Sequence, residues 1–168
     1  MNPEKEWFAE NTNKEGFQGD LSDALIGADV FLGLSGPGLV EADWIAEMGE
    51  DPIVFALANP VPEIMPDEIH GMARVIGTGR SDFPNQINNV LCFPGLFRGA
   101  LDAGAKEITE SMKIVAARAI AETIPDEQLT EDYIIPTVSN GHVFEAVGEA
   151  GRNEAIRTGN NRPERSDI

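Results

Sequence analysis

Three short apolar runs, each stopped by glycine, proline or asparagine, are the feature of this sequence that most restricts its fold. The runs span 29–35, 53–58 and 73–79. Helical patterns lie between them and follow the third, which is typical of β/α units that build a parallel sheet. Strands that are apolar along their whole length indicate a sheet covered on both faces. The sequence therefore predicts an α/β fold with a doubly wound parallel sheet, followed by C-terminal helices.

The second half of the chain is predicted to be helical. Its helices are expected at 89–103, 109–123 and 143–157, before a frayed polar tail over 158–168. Pro94 and Gly95 must kink the first of these helices or delay its start, because proline clashes with the preceding turn of a helix. The second helix has an amphipathic pattern. Its apolar stripe consists of Met112, Ile114, Val115, Ala119 and Ile120.

The charge balance excludes several classes of partner. The chain has 29 acidic and 12 basic residues, a formal net charge of −17, and no basic patch. Such a surface repels phosphate backbones and anionic headgroups, so we expect neither nucleic-acid nor membrane binding. Hydrophobic residues make up 42% of the chain, which is enough for a buried core. The acid excess also suggests a host with a high-salt cytoplasm, a hypothesis that a melting temperature indifferent to salt would contradict.

Cysteine usage and hydropathy indicate the compartment. Cys92 is the single cysteine, so the chain forms no internal disulfide and has no cysteine zinc site. This pattern favours a reducing compartment. No apolar stretch is long enough to span a bilayer, and the first residues do not resemble a signal peptide. We therefore expect a soluble, cytoplasmic protein.

The loops after the apolar runs are the predicted ligand site, because ligands of open parallel sheets bind outside the carboxyl ends of the strands. These loops are 35–38, 59–60 and 78–89. Gly36 and Gly38 either let a backbone approach a ligand or simply make a turn. The Asn59 carboxamide suits an amide or a carboxylate ligand, although asparagine before proline also starts turns. The candidate residues in these loops, or directly before them, are Ser35, Gly36, Gly38, Asn59, Gly77, Thr78 and Gly79.

Two further pairs of polar residues leave alternatives open. Asn88 and Asn89 either form an anion site at a helix start or cap that helix. Arg80 and Asp82 either pair with each other or face a ligand. His70 and His142 lie far apart in sequence without ligand spacing, so we predict no metal site in this chain.

Three motifs in this order give the sequence a specific family resemblance. They are Gly27-Ala28-Asp29-Val30-Phe31-Leu32-Gly33-Leu34-Ser35-Gly36-Pro37-Gly38, Phe55-Ala56-Leu57-Ala58-Asn59-Pro60-Val61-Pro62-Glu63-Ile64 and 79–95, which reads GRSDFPNQINNVLCFPG. Together they resemble the cofactor-binding domain of malic enzymes, in particular the short prokaryotic type. Glu131-Asp132-Tyr133-Ile134-Ile135-Pro136 resembles the C-terminal segment of that type.

The resemblance implies an activity and assigns roles to the asparagines. It implies oxidative decarboxylation of L-malate to pyruvate and carbon dioxide, with NAD or NADP accepting the hydride and Mg or Mn polarising the substrate. Asn59, Asn88 and Asn89 match the family's asparagines at the nicotinamide and the substrate, where their amides would orient both. The backbone at 35–38 and 77–79 would line the cofactor groove.

The departures from the family pattern concern what the chain lacks. No GxGxxG fingerprint occurs, and the family's catalytic Tyr and Lys and its acidic metal ligands belong to a part that precedes these motifs. We therefore expect 1–123 to be a partial NAD(P)-binding domain without its first βαβ unit, and 124–168 to be a C-terminal helical segment and tail. Such a chain would be inactive alone. The alternative is a non-catalytic module that binds nucleotide or completes a partner chain, and either version would associate, with itself or with that chain.

Overall fold

The fold is described by a computed structural model that covers residues 2–162. The predicted tail therefore lies outside the described residues from 163 onward. The helices are α1 (Pro3–Asn11), α2 (Leu21–Leu25), α3 (Ala42–Ala46), α4 (Phe93–Ala103), α5 (Glu110–Glu122) and α6 (Gly141–Arg157), and the strands are β1 (Val30–Gly33), β2 (Ile53–Ala56) and β3 (Val75–Thr78). Single 3₁₀ turns occupy Pro66–Glu68, Asn89–Leu91 and Asp126–Gln128.

The three strands form one parallel sheet in the order β1-β2-β3. This arrangement confirms the predicted α/β fold. Gly33, Ala56 and Thr78 lie opposite one another on the last rung, so the loops that follow all leave the same edge. Each strand has four residues, fewer than the apolar run that predicted it. Beyond β1 and β2, the amides of Ser35 and Ala58 donate to a side chain instead of a neighbouring strand.

One face of the sheet packs against α2 and α3. Phe31 and Val54 point to this face and are nearly or fully buried, at 8% and 0% exposed. Helix α2 begins with a capping box between Asp20 and Asp23, which satisfies free amides of its first turn. The helices contribute Leu25 and Ile45 to this core, and Met48, two residues after the end of α3, adds to it. We call residues 20–87, which contain this core, the sheet region.

The opposite face of β1 is open. Val30, Leu32 and Leu34 are 53%, 56% and 72% exposed. The expectation that both faces of the sheet are covered is therefore wrong for β1 within residues 2–162. Its apolar sequence matches a buried strand, but α2 and α3 pack on the other side of the sheet. On β2 the outward face is better filled, because the Phe55 ring lies against Gly77.

A second core joins α4, α5 and α6. Its buried residues include Leu91, Leu96, Met112, Ala116, Val143, Val147 and Ala155. We call residues 88–162 the helical region. The proposed division of the chain at 123/124 stays a prediction. Helix α6, which follows this division, shares a core with α4 and α5, which precede it.

Glycines bring α4 and α6 into backbone contact. A Cβ atom on Gly95 would lie 2.7 Å from the Phe144 carbonyl oxygen. A Cβ on Gly99 would overlap the Gly148 carbonyl oxygen and lie 3.0 Å from the Arg152 nitrogen. Because backbone atoms cannot rotate away as side chains do, the two helices can cross this closely only while Gly99 carries no side chain.

Several details of the helical prediction change. Pro94 lies in the first turn of α4, where a missing amide hydrogen costs nothing, so the helix starts late instead of kinking. Ile114 is 55% exposed, and the stripe of α5 that faces the core runs through Met112 and Ala116. The tail is not frayed over 158–162, where the amides of Asn160 and Arg162 donate to the Ala155 and Gly104 carbonyls. None of the described helices is both long and apolar enough to cross a bilayer.

Candidate functional site

The loops after β1 and β2 are joined by one buried carboxylate. Glu63 is 1% exposed. Its Oε1 accepts a hydrogen bond of 2.7 Å from the Ser35 amide, and its Oε2 accepts one of 3.0 Å from the Ala58 amide. Sequence reasoning missed this residue. The available signal was an acidic residue between Pro62 and Ile64, in a segment that is otherwise apolar.

The glycines of the first loop leave open space. Gly38 has φ +63°, and a Cβ there would meet nothing within 4 Å. The nearest atom to a Cβ on Gly36 would be a Leu39 methyl carbon at 3.8 Å. Residues 37–38 form a turn, and the Gly38 amide donates to the Pro62 carbonyl of a segment distant in sequence. Ser35 is exposed. This loop therefore forms a turn and also leaves backbone open to a ligand.

Asn59 lies just beyond β2 and is exposed, with a cis peptide bond to Pro60. The preceding residue, Ala58, is held by Glu63. This attachment places an exposed carboxamide directly after a backbone position that is fixed. The geometry suits a group that must present an amide to a ligand in one orientation.

The third predicted segment, 77–79, is the most buried of the three. Thr78 is 0% exposed, and its hydroxyl has no hydrogen-bond partner among the described residues. A Cβ on Gly77 would lie 2.8 Å from a methyl carbon of Ile87, so this glycine makes room for packing. In this structure the contribution of 77–79 to a ligand site is limited to Gly79, which is half-buried.

Asn88 and Asn89 differ in what they offer a ligand. The Asn88 Oδ1 accepts a 3.0 Å hydrogen bond from the Val90 amide, so Asn88 caps the 3₁₀ turn Asn89–Leu91. This is the capping alternative, and it leaves the Asn88 amide nitrogen available as a donor. Asn89 is exposed. Helix α4 begins four residues later, at Phe93.

The charged residues of these loops pair with each other. The Arg80 guanidinium donates to both carboxylate oxygens of Asp82, at 2.9 and 2.6 Å, and lies 5.6 Å from the centre of the Phe83 ring. The hydrogen bond from Arg80 lowers the pKa of Asp82. Arg80 and Asp82 are the charged residues of the loops 35–38, 59–60 and 78–89, so these three loops carry no net charge.

Asn85 is a second residue that sequence reasoning missed. It is 5% exposed and has φ +53°. Its amide nitrogen donates to the carbonyls of Ile76 and Glu131, at 3.0 and 2.7 Å, while its Oδ1 accepts from the Ile134 amide at 2.9 Å. It thereby ties β3 to the segment 131–134. A cleft of about 360 Å³ lies beside it, between the segments 81–86 and 132–138.

A larger groove lies elsewhere. It measures about 650 Å³ and lies between α4 and α6, and none of the predicted site residues lines it. Its rim carries charges of both signs, among them Arg98, Asp102 and Arg152. Within residues 2–162, no group of three or more His, Cys, Asp or Glu side chains lies close enough together to hold a metal ion.

The comparisons with known proteins agree on one family. The family model described as "Malic enzyme, NAD binding domain" matches residues 1–147. An NAD-dependent malic enzyme of Geobacillus stearothermophilus is 53% identical, over 94% of this chain and 33% of its own length. An NADP-dependent malic enzyme of Halomonas elongata is 43% identical, over 95% of this chain and 40% of its own.

A solved structure shares the fold. The crystal structure of malic enzyme from Pyrococcus horikoshii superposes with a TM-score of 0.89 at 47% identity, covering 96% of this chain and 38% of that one. The chain therefore spans between a third and two fifths of the length of these similar proteins.

Proposed function

Because the chain belongs to the malic enzyme family, we propose that it forms part of an enzyme that oxidatively decarboxylates L-malate to pyruvate and carbon dioxide, with NAD or NADP as hydride acceptor. The observation that carries this proposal is the common edge of the sheet. Three loops without net charge leave this edge, and two of them present exposed asparagine side chains, Asn59 and Asn89. Neutral amides accept both a carboxamide and a carboxylate as ligands.

Each asparagine has a distinct task in this proposal. Asn59 and Asn89 orient the nicotinamide carboxamide and the malate carboxylate, and the free amide nitrogen of Asn88 adds a donor. Ser35–Gly38 line the cofactor groove with backbone, and Gly79 is the part of Gly77–Gly79 that reaches it; the open space at Gly38 supports this. When bound, NAD(P) supplies the hydride acceptor. Groups that hold two reactants in the right orientation lower the reaction barrier, because the translational and rotational entropy is already lost on binding.

The metal and the acid–base groups are assigned to another part of the enzyme. Mg or Mn needs several oxygen ligands, and the described residues do not bring such a cluster together. No step of our proposal therefore runs through a metal at these residues. A catalytic Tyr and Lys are likewise expected outside this chain, so we propose that it does not turn over malate alone. The single cysteine supports a reducing, cytoplasmic compartment.

Titration of the 168-residue chain with NAD and with NADP tests the proposal by calorimetry. We expect Asn59→Ala to lower the affinity for the nucleotide about tenfold or more, as for loss of a well-placed polar contact. Asn153→Ala is the matched control, since Asn153 is an exposed asparagine on α6 in the helical region. Equal affinity of both variants, or malate-dependent reduction of the nucleotide by the chain alone, would contradict the proposal.

The open face and edge of β1 favour a second candidate function, a module that completes its sheet with another chain. Within residues 2–162, β1 pairs on one side only, with β2. Its exposed Val30 and Leu32 form an apolar surface beside unpaired backbone groups, a combination that promotes strand addition. Two copies of this chain or a separate partner chain would satisfy it.

Analytical ultracentrifugation over a range of concentrations tests this candidate. We expect self-association that Leu32→Gln weakens and that Leu129→Gln, which also replaces an exposed leucine, leaves unchanged. A well-folded monomer at every concentration that binds no nucleotide would rule out both functions of the module.

A further inference from the structure

We propose that Glu63 is a positioning residue that fixes the loop after β1 against the loop after β2 and so orients Asn59. This inference rests on the proposed function, because Asn59 is the ligand-binding group that Glu63 would serve. Glu63 itself is 1% exposed and does not reach the surface where a ligand would lie. Its role is therefore to hold other groups and not to touch the substrate.

The hydrogen bonds of Glu63 join segments that are far apart in sequence. One carboxylate oxygen takes the Ser35 amide, 28 residues away, and the other takes the Ala58 amide. The backbone beside it makes two more connections to the first loop, because Gly38 donates to the Pro62 carbonyl and Val40 to the Glu63 carbonyl, both at 3.2 Å. The first loop is thus held at three points from a single segment.

A carboxylate suits this position better than any neutral side chain. The two amides approach from different loops, and an ionised carboxylate offers an acceptor to each. A glutamine would present its amide hydrogens to one of these N–H groups, so one of the two bonds would be lost. Burial of a carboxylate is costly unless hydrogen bonds compensate it, and the two short bonds provide that compensation.

Gly33, the last residue of β1, is shaped to receive this carboxylate. A Cβ atom there would lie 2.5 Å from the Glu63 Cδ and 2.7 Å from its Oε2. The carboxylate therefore lies against the backbone of β1, directly below the loop that it holds. This second contact provides an independent way to displace Glu63 without removing it.

Amide hydrogen exchange by NMR on the unmodified 168-residue chain is the first test. We expect the Ser35 and Ala58 amides to be protected although they lie beyond the paired strands. Unprotected amides at these two positions would overturn the proposal, and this result does not depend on any variant folding correctly.

Glu63→Gln is the second test, compared with Glu68→Gln on the same segment. Glu68 is exposed, and its carboxylate accepts one local hydrogen bond from the Met65 amide. In Glu63→Gln we expect exchange at Ser35 or Ala58 to accelerate about tenfold or more, as for loss of a bond to a charged group, while the buried strand amide of Val54 keeps its rate. A purely structural role would instead accelerate all amides together, and that outcome would overturn the proposal.

Nucleotide affinity separates this inference from the proposed function. If Glu63 orients Asn59, Glu63→Gln and Gly33→Ala both weaken NAD or NADP binding about tenfold, and Asn59→Ala adds little further loss to either. Additive losses would overturn the inference and leave the proposed function intact. If the unmodified chain binds no nucleotide, the proposed function fails, and the exchange rates alone still decide whether Glu63 holds the two loops.

Discussion

The sheet region and the helical region differ in how closely they are packed. In the helical region, α4 and α6 cross so closely that Gly99 has no room for a side chain. In the sheet region, β1 exposes more than half of the Leu32 side chain and the loops beyond the strands hold open space. A close-packed core resists change, whereas an open surface is available to a ligand or another chain. We therefore expect stability to depend most on the crossing of the helices, and we propose that recognition takes place at the edge of the sheet.

The largest expected effect is on the close crossing of α4 and α6 in the helical region. In Gly99→Ala the new methyl group meets the Gly148 carbonyl, and both helices must separate to admit it. We expect the free energy of unfolding to fall by at least about 3 kcal/mol, at the upper end of overpacking effects. Urea denaturation followed by circular dichroism measures this.

Gly141→Ala is the control for that substitution. Gly141 begins α6, and a Cβ there meets nothing within 4 Å. We expect its stability to stay within about 0.5 kcal/mol of wild type or to rise, since alanine favours a helix over glycine. Equal losses in the two variants would show that the helix crossing is not the tight point of the molecule.

The next prediction concerns the hydrogen bonds that join the two regions. Asn85 belongs to the sheet region, and its side chain makes two of its three hydrogen bonds to 131–134 in the helical region. We expect Asn85→Ala to lower the free energy of unfolding by about 2 to 3 kcal/mol, because buried carbonyl and amide groups lose their partners. Two resolved unfolding transitions would be the clearest sign that the regions have uncoupled.

Asn13→Ala provides the matched control for Asn85. Asn13 also has a positive φ, of 49°, but it is exposed, and its side-chain hydrogen bonds go to the backbone of nearby Phe17. The strain of alanine in the left-handed conformation, about 1 kcal/mol, is common to both variants. If the two losses are equal, the hydrogen bonds of Asn85 contribute nothing to joining the regions.

What the sequence could predict follows the same division. Apolar runs and helical stripes predicted the parallel sheet and the three later helices, because both patterns arise from periodic burial within one element. The exposure of Leu32 was not predictable, since an apolar residue does not reveal whether its covering partner lies in the same chain. The resemblance predicted Asn59, whose role we still propose and do not observe.

Long-range polar contacts were the other limit of sequence reasoning. Glu63 reaches Ser35 over 28 residues, and Asn85 reaches Ile134 over 49. No local pattern distinguishes such residues from polar residues of ordinary turns. A buried acid within an apolar segment and an asparagine in a left-handed turn become recognisable only when the fold brings their partners together.

A smaller effect tests the electrostatics of the helical region. The hydrogen bonds from Arg157 and then Ser111 lower the pKa of Glu154 from 4.5 to about 2. A carboxylate with a lowered pKa stabilises the fold above its ordinary pKa, and this contribution is lost as the pH falls from about 4.5 to about 2. We expect Glu154→Gln to be less stable than wild type at pH 7 and the gap to close across that interval.

Thermal melts between pH 7 and pH 2 measure the gap for Glu154. Glu149→Gln is the matched variant, because Glu149 is an exposed glutamate on the same helix. We expect it to follow the wild-type curve. A constant gap for Glu154→Gln down to pH 2 would show that its partners contribute nothing that depends on its charge.

The smallest expected effect concerns Thr78, a predicted site residue that is fully buried in the sheet region. The Thr78 hydroxyl has no partner among the described residues, and an unpaired buried hydroxyl is costly. We expect Thr78→Val, which keeps the shape and removes the hydroxyl, to raise the free energy of unfolding by about 1 kcal/mol. Thr78→Ser, which keeps the hydroxyl and removes a methyl group, should lower it by about 1 kcal/mol. If Thr78→Val instead loses stability or nucleotide affinity, the hydroxyl has a partner. The region of the sheet that is open to a ligand would then include the last paired residues of the strands.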